Sequence, residues 1–159
     1  MSAALITASI LSLVGLLVSF VLGYMAATVD ERLQHAGLAI FVALITLFTH
    51  SMAMFYLIGK GRAIRDAVTE GQLISTAVAR MSALRTPVFK LSSLAMTLTM
   101  TTGIVGGGVD TGVISGSVHA LLAVLTILAS FVALRAIVRA LNESSRIVAE
   151  VNHDLGTPG

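Results

Sequence analysis

The sequence predicts an all-α integral membrane protein, a four-helix antiparallel bundle with helical cytoplasmic extensions. Apolar residues make up 56% of the 159 positions and charged residues only 11%, less than half the charged share of an average soluble domain. The charges are clustered and separated by apolar stretches longer than the roughly 20 residues that a helix needs to cross a bilayer. No segment of about ten residues shows the alternating hydrophobicity of a transmembrane strand.

The gaps between charged residues define four spans. Residues 3–29 carry no charge, and residues 36–59 carry no acid, Lys or Arg. Residues 91–134 contain Asp110 as their one acid, and this stretch is long enough for two spans. Because the glycines at 106–108 beside Asp110 are typical of a turn, we predict spans at about 4–28, 37–59, 91–108 and 117–136.

Lys and Arg are distributed unequally among the connecting segments. The segment at 60–90 holds six of them and the segment after the fourth span holds three, whereas the other two loops together hold only Arg32. The positive-inside rule therefore predicts that both termini and the 60–90 segment are cytoplasmic, and we expect a bacterial plasma (inner) membrane. These basic residues flank the spans, so no nucleic-acid partner is predicted.

The cytoplasmic segments are also predicted to be helical. Apolar residues recur at helical spacing through 60–90, with Gly71 as the break, which favours a helical hairpin that extends spans two and three. An amphipathic helix lying on the anionic leaflet is the alternative. The helical tail at 137–155 continues an apolar stripe from span four, whose inner half we expect to pack inside the chain and whose outer half we expect to bind another protein. Its members are Leu134, Val138, Leu141, Val148 and Leu155.

Small residues mark helix-packing faces within the spans. Gly103 and Gly107 form a GxxxG pair in the third span. Small residues let helix backbones approach closely in lipid, where the hydrophobic effect does not drive association. Such pairs support packing within one chain and association between chains about equally.

The four histidines are the candidates for chemistry. The membrane core contains no Asp, Glu, Lys or Arg, and the chain contains no Cys, so a hydrolytic triad, a carboxylate pair and thiol chemistry are not expected. We predict no catalytic activity of the chain's own. An ionisable group inside a span indicates function by default, which singles out His50 and His119, and imidazole is a common axial ligand of haem iron.

Counting residues from the inner membrane edge gives each histidine a depth. With Lys60 and Arg135 at that edge, His50 lies about 15 Å deep and His119 about 24 Å deep at 1.5 Å per helical residue. We therefore expect that these two do not ligate one iron. On the same scale His35, at the outer mouth of span two, is offset from His119 by about 13 Å.

Met100 offers His50 a second axial ligand. It lies at the same counted depth on the third span, and His with Met is a known axial pair. The candidate ligands for a haem b are therefore His50, Met100 and His119. The structural alternative is that His50 donates to a hydroxyl or a backbone carbonyl of a neighbouring helix, and a role in proton or substrate handling is the third interpretation.

Three functions follow from these features. The small size, the packing faces and the apolar stripe of the tail favour an accessory or structural subunit of a larger membrane protein complex. Its partners would be the lipid bilayer and other membrane subunits, or further copies of the chain. The alternative is a b-type haem-binding anchor or cytochrome of a quinone-linked redox complex. A transporter or channel component is third, because the spans offer no charge at their centre.

Overall fold

The computed structural model describes residues 1–156 as four α-helices joined by short turns. The helices are α1 (Ser2–Met25), α2 (Val29–Glu70), α3 (Ala77–Asp110) and α4 (Gly116–Asp154). The described residues contain no strand, so the prediction of an all-α fold is confirmed. Each of the four helices is long and apolar enough to cross a membrane.

Local chemistry explains where the second helix begins. The backbone N–H groups of Thr28 and Ala27 both donate to the Glu31 carboxylate, at 2.9 Å and 2.8 Å, and the Glu31 N–H donates back to the Thr28 hydroxyl. This capping box satisfies backbone groups that have no partner inside the helix. The same backbone donors stabilise the ionised carboxylate and hold the pKa of Glu31 below its usual value.

The remaining turns follow from residues with special backbone freedom. α2 ends at Gly71, and Gln72 then adopts a left-handed conformation with φ of 50°. After α3, Gly112 takes a φ of 73°, a conformation that glycine reaches without the steric cost that a Cβ adds. Residues 60–90 are therefore the end of α2, one turn, and the start of α3.

Consecutive helices run in opposite directions. In the first pair, contacts join rising residue numbers on α1 to falling numbers on α2. Ser2 Oγ lies 3.2 Å from the Tyr56 hydroxyl, and Ser12 Oγ lies 2.7 Å from Thr46 Oγ1. The same relationship holds between α3 and α4, where hydrogen bonds join Thr102 to Thr126 and Arg80 to Glu143.

The interior of the protein changes character along the helices. In what we call the hydroxyl-lined half, which contains α1, most buried residues are polar; they are Ser9, Ser12, Ser19, Thr46, Thr49, His50, Thr99, Thr126 and Ser130. In the apolar-cored half, the largest fully buried side chains are Leu57, Met81, Val88, Ile137, Leu141 and Ile147. The buried residues of this second core come from α2, α3 and α4, and Leu5 and Ile6 at the start of α1 pack against them.

The polarity of the outer surface is opposite to that of the interior in each half. Around the hydroxyl-lined half, large apolar side chains are exposed on all four helices, among them Leu11, Phe41, Phe48, Ile104, Leu121 and Phe131. Around the apolar-cored half, the exposed positions are mainly charged and polar, with Ile74 in the α2–α3 turn as an exception. A water-facing surface and a lipid-facing surface would show this difference.

The apolar stripe of α4 packs inside the chain from Leu141 to Leu155. Leu141 is fully buried, and Val148 and Leu155 pack against the same core. Leu155 lies against Gly71, where a Cβ atom would meet its side chain. The outer half of the stripe therefore also has contacts within the chain, and binding of another protein to its remaining exposed part stays a prediction.

Candidate functional site: the buried histidines and the outer face of α3

The structure brings His35 of α2 and His119 of α4 together. Their ring centroids are 6.3 Å apart, and the ring planes are inclined by 77°. The expected offset of about 13 Å between them is therefore wrong. The counted offset argues against His35 and His119 as ligands of one iron, and the observed distance removes that argument.

The offset of about 13 Å is wrong because Lys60 and Arg135, from which the depths are counted, are not at the same level. Lys60 Nζ donates to the hydroxyls of Ser144 and Ser145, at 3.2 Å and 3.0 Å. Lys60 is therefore level with Ser144, and Arg135 lies nine residues closer to the hydroxyl-lined half, which is about 13 Å along a helix. The depth count takes Arg135 to be level with Lys60. The depths counted for residues of α4 are therefore in error by about 13 Å.

Each imidazole of the pair lies against a glycine of a neighbouring helix. A Cβ atom at Gly23 of α1 would lie 2.6 Å from His35 Cε1, and one at Gly106 of α3 would lie 3.0 Å from His119 Cε1. Both Nδ1 atoms are buried and have no hydrogen-bond partner among the described residues. The helix backbones thus approach the two rings from opposite sides of the bundle, and any larger residue at these glycines would displace them.

His50 lies in the interior fifteen residues further along α2. It is only 3% exposed, and its Nδ1 atom also lacks a partner among the described residues. Met100 is 57% exposed on the outer surface of α3, so His50 and Met100 face different environments. An α3 methionine that does contact the same part of α2 is Met96, whose sulfur accepts a hydrogen bond from Ser51 at 3.6 Å. Depth counting cannot tell which face of a helix a residue occupies.

Most buried hydroxyls are already hydrogen-bonded. Thr46, Thr99 and Thr126 each donate to the carbonyl four residues earlier, at 2.8–2.9 Å. Bonds between helices join Ser12 to Thr46 and Thr102 to Thr126. The hydroxyls therefore act mainly in helix packing, although Ser92 and Ser130 have no partner for their oxygen among the described residues.

The glycines of α3 divide into two kinds. Gly106 and Gly108 face the interior, and the side chains of His119 and Ile114 occupy the space beside them. Gly103 and Gly107, which form the GxxxG pair, have no atom within 4 Å of an added Cβ, apart from their own helix and chain neighbours. They lie on what we call the outer α3 face, which consists of exposed residues: Ser93, Thr97, Met100, Thr101, Gly103, Ile104 and Gly107.

The histidines are not part of a larger metal-ligand cluster. Within residues 1–156, no group of three or more His, Cys, Asp or Glu side chains is placed to hold a metal ion. A prosthetic group that brings its own equatorial ligands needs only one or two protein ligands, so this finding bears on bare ions alone. No protein-family model matches the sequence, and no similar curated protein or solved structure was found.

Proposed function

We propose that this chain is a non-catalytic accessory subunit of a bacterial plasma-membrane complex. Its four helices form an antiparallel bundle across the membrane, and it docks to a helix of another subunit through the outer α3 face. Both termini and the apolar-cored half lie in the cytoplasm. The observation that carries the docking proposal is the open space beside Gly103 and Gly107.

Membrane insertion is supported by the inverted surface. Exposed Leu, Ile, Val and Phe side chains surround the half whose interior is lined by hydroxyls. Water would not stabilise so large an apolar surface, whereas lipid tails contact it without cost. Every helix bonds its own backbone polar groups, as the bilayer interior requires.

The orientation is supported by where the ends of the helices lie. The contact between Ser2 and Tyr56 places the amino terminus near the apolar-cored half. The α2–α3 turn and the end of α4 lie at the far end of that same half, where Leu155 meets Gly71. Nine of the ten Lys and Arg residues lie towards this end of the protein, and Arg32 lies at the opposite end. This distribution favours a cytoplasmic position for that end.

Docking is supported by the composition of the outer α3 face. A surface that meets only lipid needs neither glycines nor hydroxyls, and both favour association between membrane helices. The inward glycines of α3 already pack against His119 and Ile114, so internal packing does not account for Gly103 and Gly107. Thr97 and Thr101 are exposed beside them and supply hydroxyls for bonds between helices.

The test is copurification from native membranes in a mild detergent. Gly103→Leu/Gly107→Leu should abolish copurification of the partner subunit without lowering the melting temperature of the chain. The matched control is Gly37→Leu/Gly59→Leu, which fills two equally open glycines on α2 and should retain the partner. Loss of the partner in both pairs, or in neither, would contradict docking through α3. A native mass that is a multiple of this chain alone would replace the accessory subunit by a homo-oligomer.

A second candidate function, binding of haem b, is favoured by the pairing of His35 with His119. Two imidazoles that bind one metal ion from opposite sides, each at about 2 Å, have centroids roughly 6 Å apart, close to the observed 6.3 Å. The two imidazoles come from α2 and α4. The residues of α1 and α3 that lie against them are Gly23 and Gly106. The macrocycle would have to take the place of the present contacts between these glycines and the rings.

An absorption spectrum tests this second function. His35 and His119 would hold the haem, and the haem would supply one-electron redox chemistry. Protein from haem-replete cells should show a Soret band that is lost in both His35→Ala and His119→Ala and is unchanged in His50→Ala. A band lost in His50→Ala and Met100→Ala instead would restore the ligand pair predicted from the sequence. A colourless preparation would exclude haem binding.

A further inference from the structure

Three arginines from two helices line one cleft on the surface of the apolar-cored half. Arg62 and Arg65 of α2 and Arg85 of α3 border it, together with Ile58 and Asp66, and its volume is about 350 Å³. The cleft is open to the surroundings, and Arg62 and Arg65 are exposed. With one carboxylate against three guanidinium groups, its lining carries a net positive charge of two.

Two other arginines of this half form ion pairs, whereas the arginines of the cleft, like Arg135 and Arg139, form none among the described residues. Arg80 forms ion pairs with Glu143 and Glu150, and Arg146 forms one with Glu143. Among the described residues, Arg62, Arg65 and Arg85 have no carboxylate within ion-pair distance. The Arg85 guanidinium lies across Gly61, where a Cβ would meet Nη1 at 3.0 Å.

The cleft begins where the exposed apolar surface of α2 ends. Ile58 is 41% exposed and is the last large exposed apolar residue of α2. Arg62 follows one turn later, about 6 Å further along the axis, and Arg65 about 5 Å beyond that. An apolar contact followed at once by positive charge matches the order in which a phospholipid presents its acyl chains and its phosphate.

We propose that this cleft binds the phosphate of an anionic phospholipid in the cytoplasmic leaflet. Arg62 and Arg65 would engage the phosphate oxygens through paired N–H donors, which the planar guanidinium group presents in a fixed fork. Arg85 would close the cleft from α3, and Ile58 would contact the first part of an acyl chain. The proposal rests on the membrane insertion proposed above but is independent of docking through α3 and of haem.

The experiment measures binding of phosphatidylglycerol to the full chain in detergent by native mass spectrometry. One basic residue near an anionic lipid contributes roughly a fivefold change in affinity, so Arg62→Gln/Arg65→Gln should weaken binding roughly 25-fold. The matched control is Arg139→Gln/Arg146→Gln, which removes the same charge outside the cleft and should change binding less than twofold. Arg62→Lys/Arg65→Lys, which keeps the charge, should lose much less than the glutamine pair.

Each alternative result overturns the proposal in a recognisable way. Equal losses in the cleft pair and the control pair would mean that the surface potential, and not this cleft, holds the lipid. Displacement by soluble glycerol phosphate at equal concentration would make the cleft a site for free phosphate. If phosphatidylcholine bound as tightly as phosphatidylglycerol, the cleft would not select lipids by their net charge. Wild-type chain that is released from membranes by carbonate washing would instead refute membrane insertion, on which the proposal rests.

Discussion

Lys60 Nζ of α2 donates to Ser144 Oγ of α4 at 3.2 Å, which agrees with a register that places these two residues near each other along the helices. His35 precedes Lys60 by 25 residues, and His119 precedes Ser144 by the same 25. Because α2 and α4 run in the same direction, this register brings the two imidazoles to one level at the opposite end of the bundle. A contact in the apolar-cored half is thus linked to the geometry of the histidine pair.

The apolar stripe of α4 should matter for stability along its whole length. Leu141→Asp and Val148→Asp should both lower the melting temperature, because each places a charge in or beside an apolar core. Leu141, which is fully buried, should show the larger loss, several kcal/mol in the free energy of unfolding. Ala149→Asp, at an exposed position of the same turn, is the control. An unchanged melting temperature in Val148→Asp would mean that the outer half of the stripe is not packed.

The contact between Gly23 and His35 should appear as coupling in a double-mutant cycle. Gly23→Ala alone should destabilise the protein, because the new Cβ would lie 2.6 Å from His35 Cε1. In a His35→Ala background the same change should be neutral or stabilising, since alanine is favoured over glycine in a helix by about 1 kcal/mol. Gly37→Ala, at an open position of α2, should be stabilising in either background. Additive effects of Gly23→Ala and His35→Ala would show that the two residues do not touch.

Hydropathy was sufficient to predict four spans because it depends only on composition along the chain. The relative level of two helices depends on side-chain contacts, and a Lys or Arg is a poor marker of level because its long stem lets the charge reach water from several depths. Lys60 and Arg135 are nine residues apart in level although both follow an apolar span. The pairing of His35 with His119 therefore could not be obtained by counting from these charges.

Whether a residue faces the interior or the surface of the bundle could be predicted only where the two environments differ in polarity. Leu141 is buried among apolar residues, as its place in the stripe indicates. In the spans, both lipid and the bundle interior accept a methionine or a threonine, so Met100 on the outside and Thr99 on the inside look alike in sequence. One signal was overlooked: the glycines at 23 and 106 mark close approaches, and their partners are the histidines.

The ion pair of Arg80 and Glu150 should make stability depend on pH. The hydrogen bond from Arg80 lowers the pKa of the Glu150 carboxyl, so in the acidic range the unfolded chain binds more protons at this site than the folded chain does. Stability is then present above the ordinary carboxyl pKa and is lost as pH falls through the lowered one. Melting temperatures between about pH 6 and 3 should decline less in Arg80→Gln/Glu150→Gln than in the wild type. Parallel curves would contradict a contribution from this pair.

The orientation predicts which turns are accessible from outside the cell. The chain contains no Cys, so single cysteines can be introduced without a background signal. Val113 in the α3–α4 turn and Ile74 in the α2–α3 turn are both strongly exposed, at 81% and 108%, and they lie at opposite ends of α3. A membrane-impermeant maleimide added to intact cells or spheroplasts should label Val113→Cys at once and Ile74→Cys only after permeabilisation. The reverse pattern would invert the proposed topology, and equal labelling of both before permeabilisation would contradict a single fixed orientation. Because both side chains are exposed and lie in turns, a difference in labelling would report the side of the membrane and not burial within the protein.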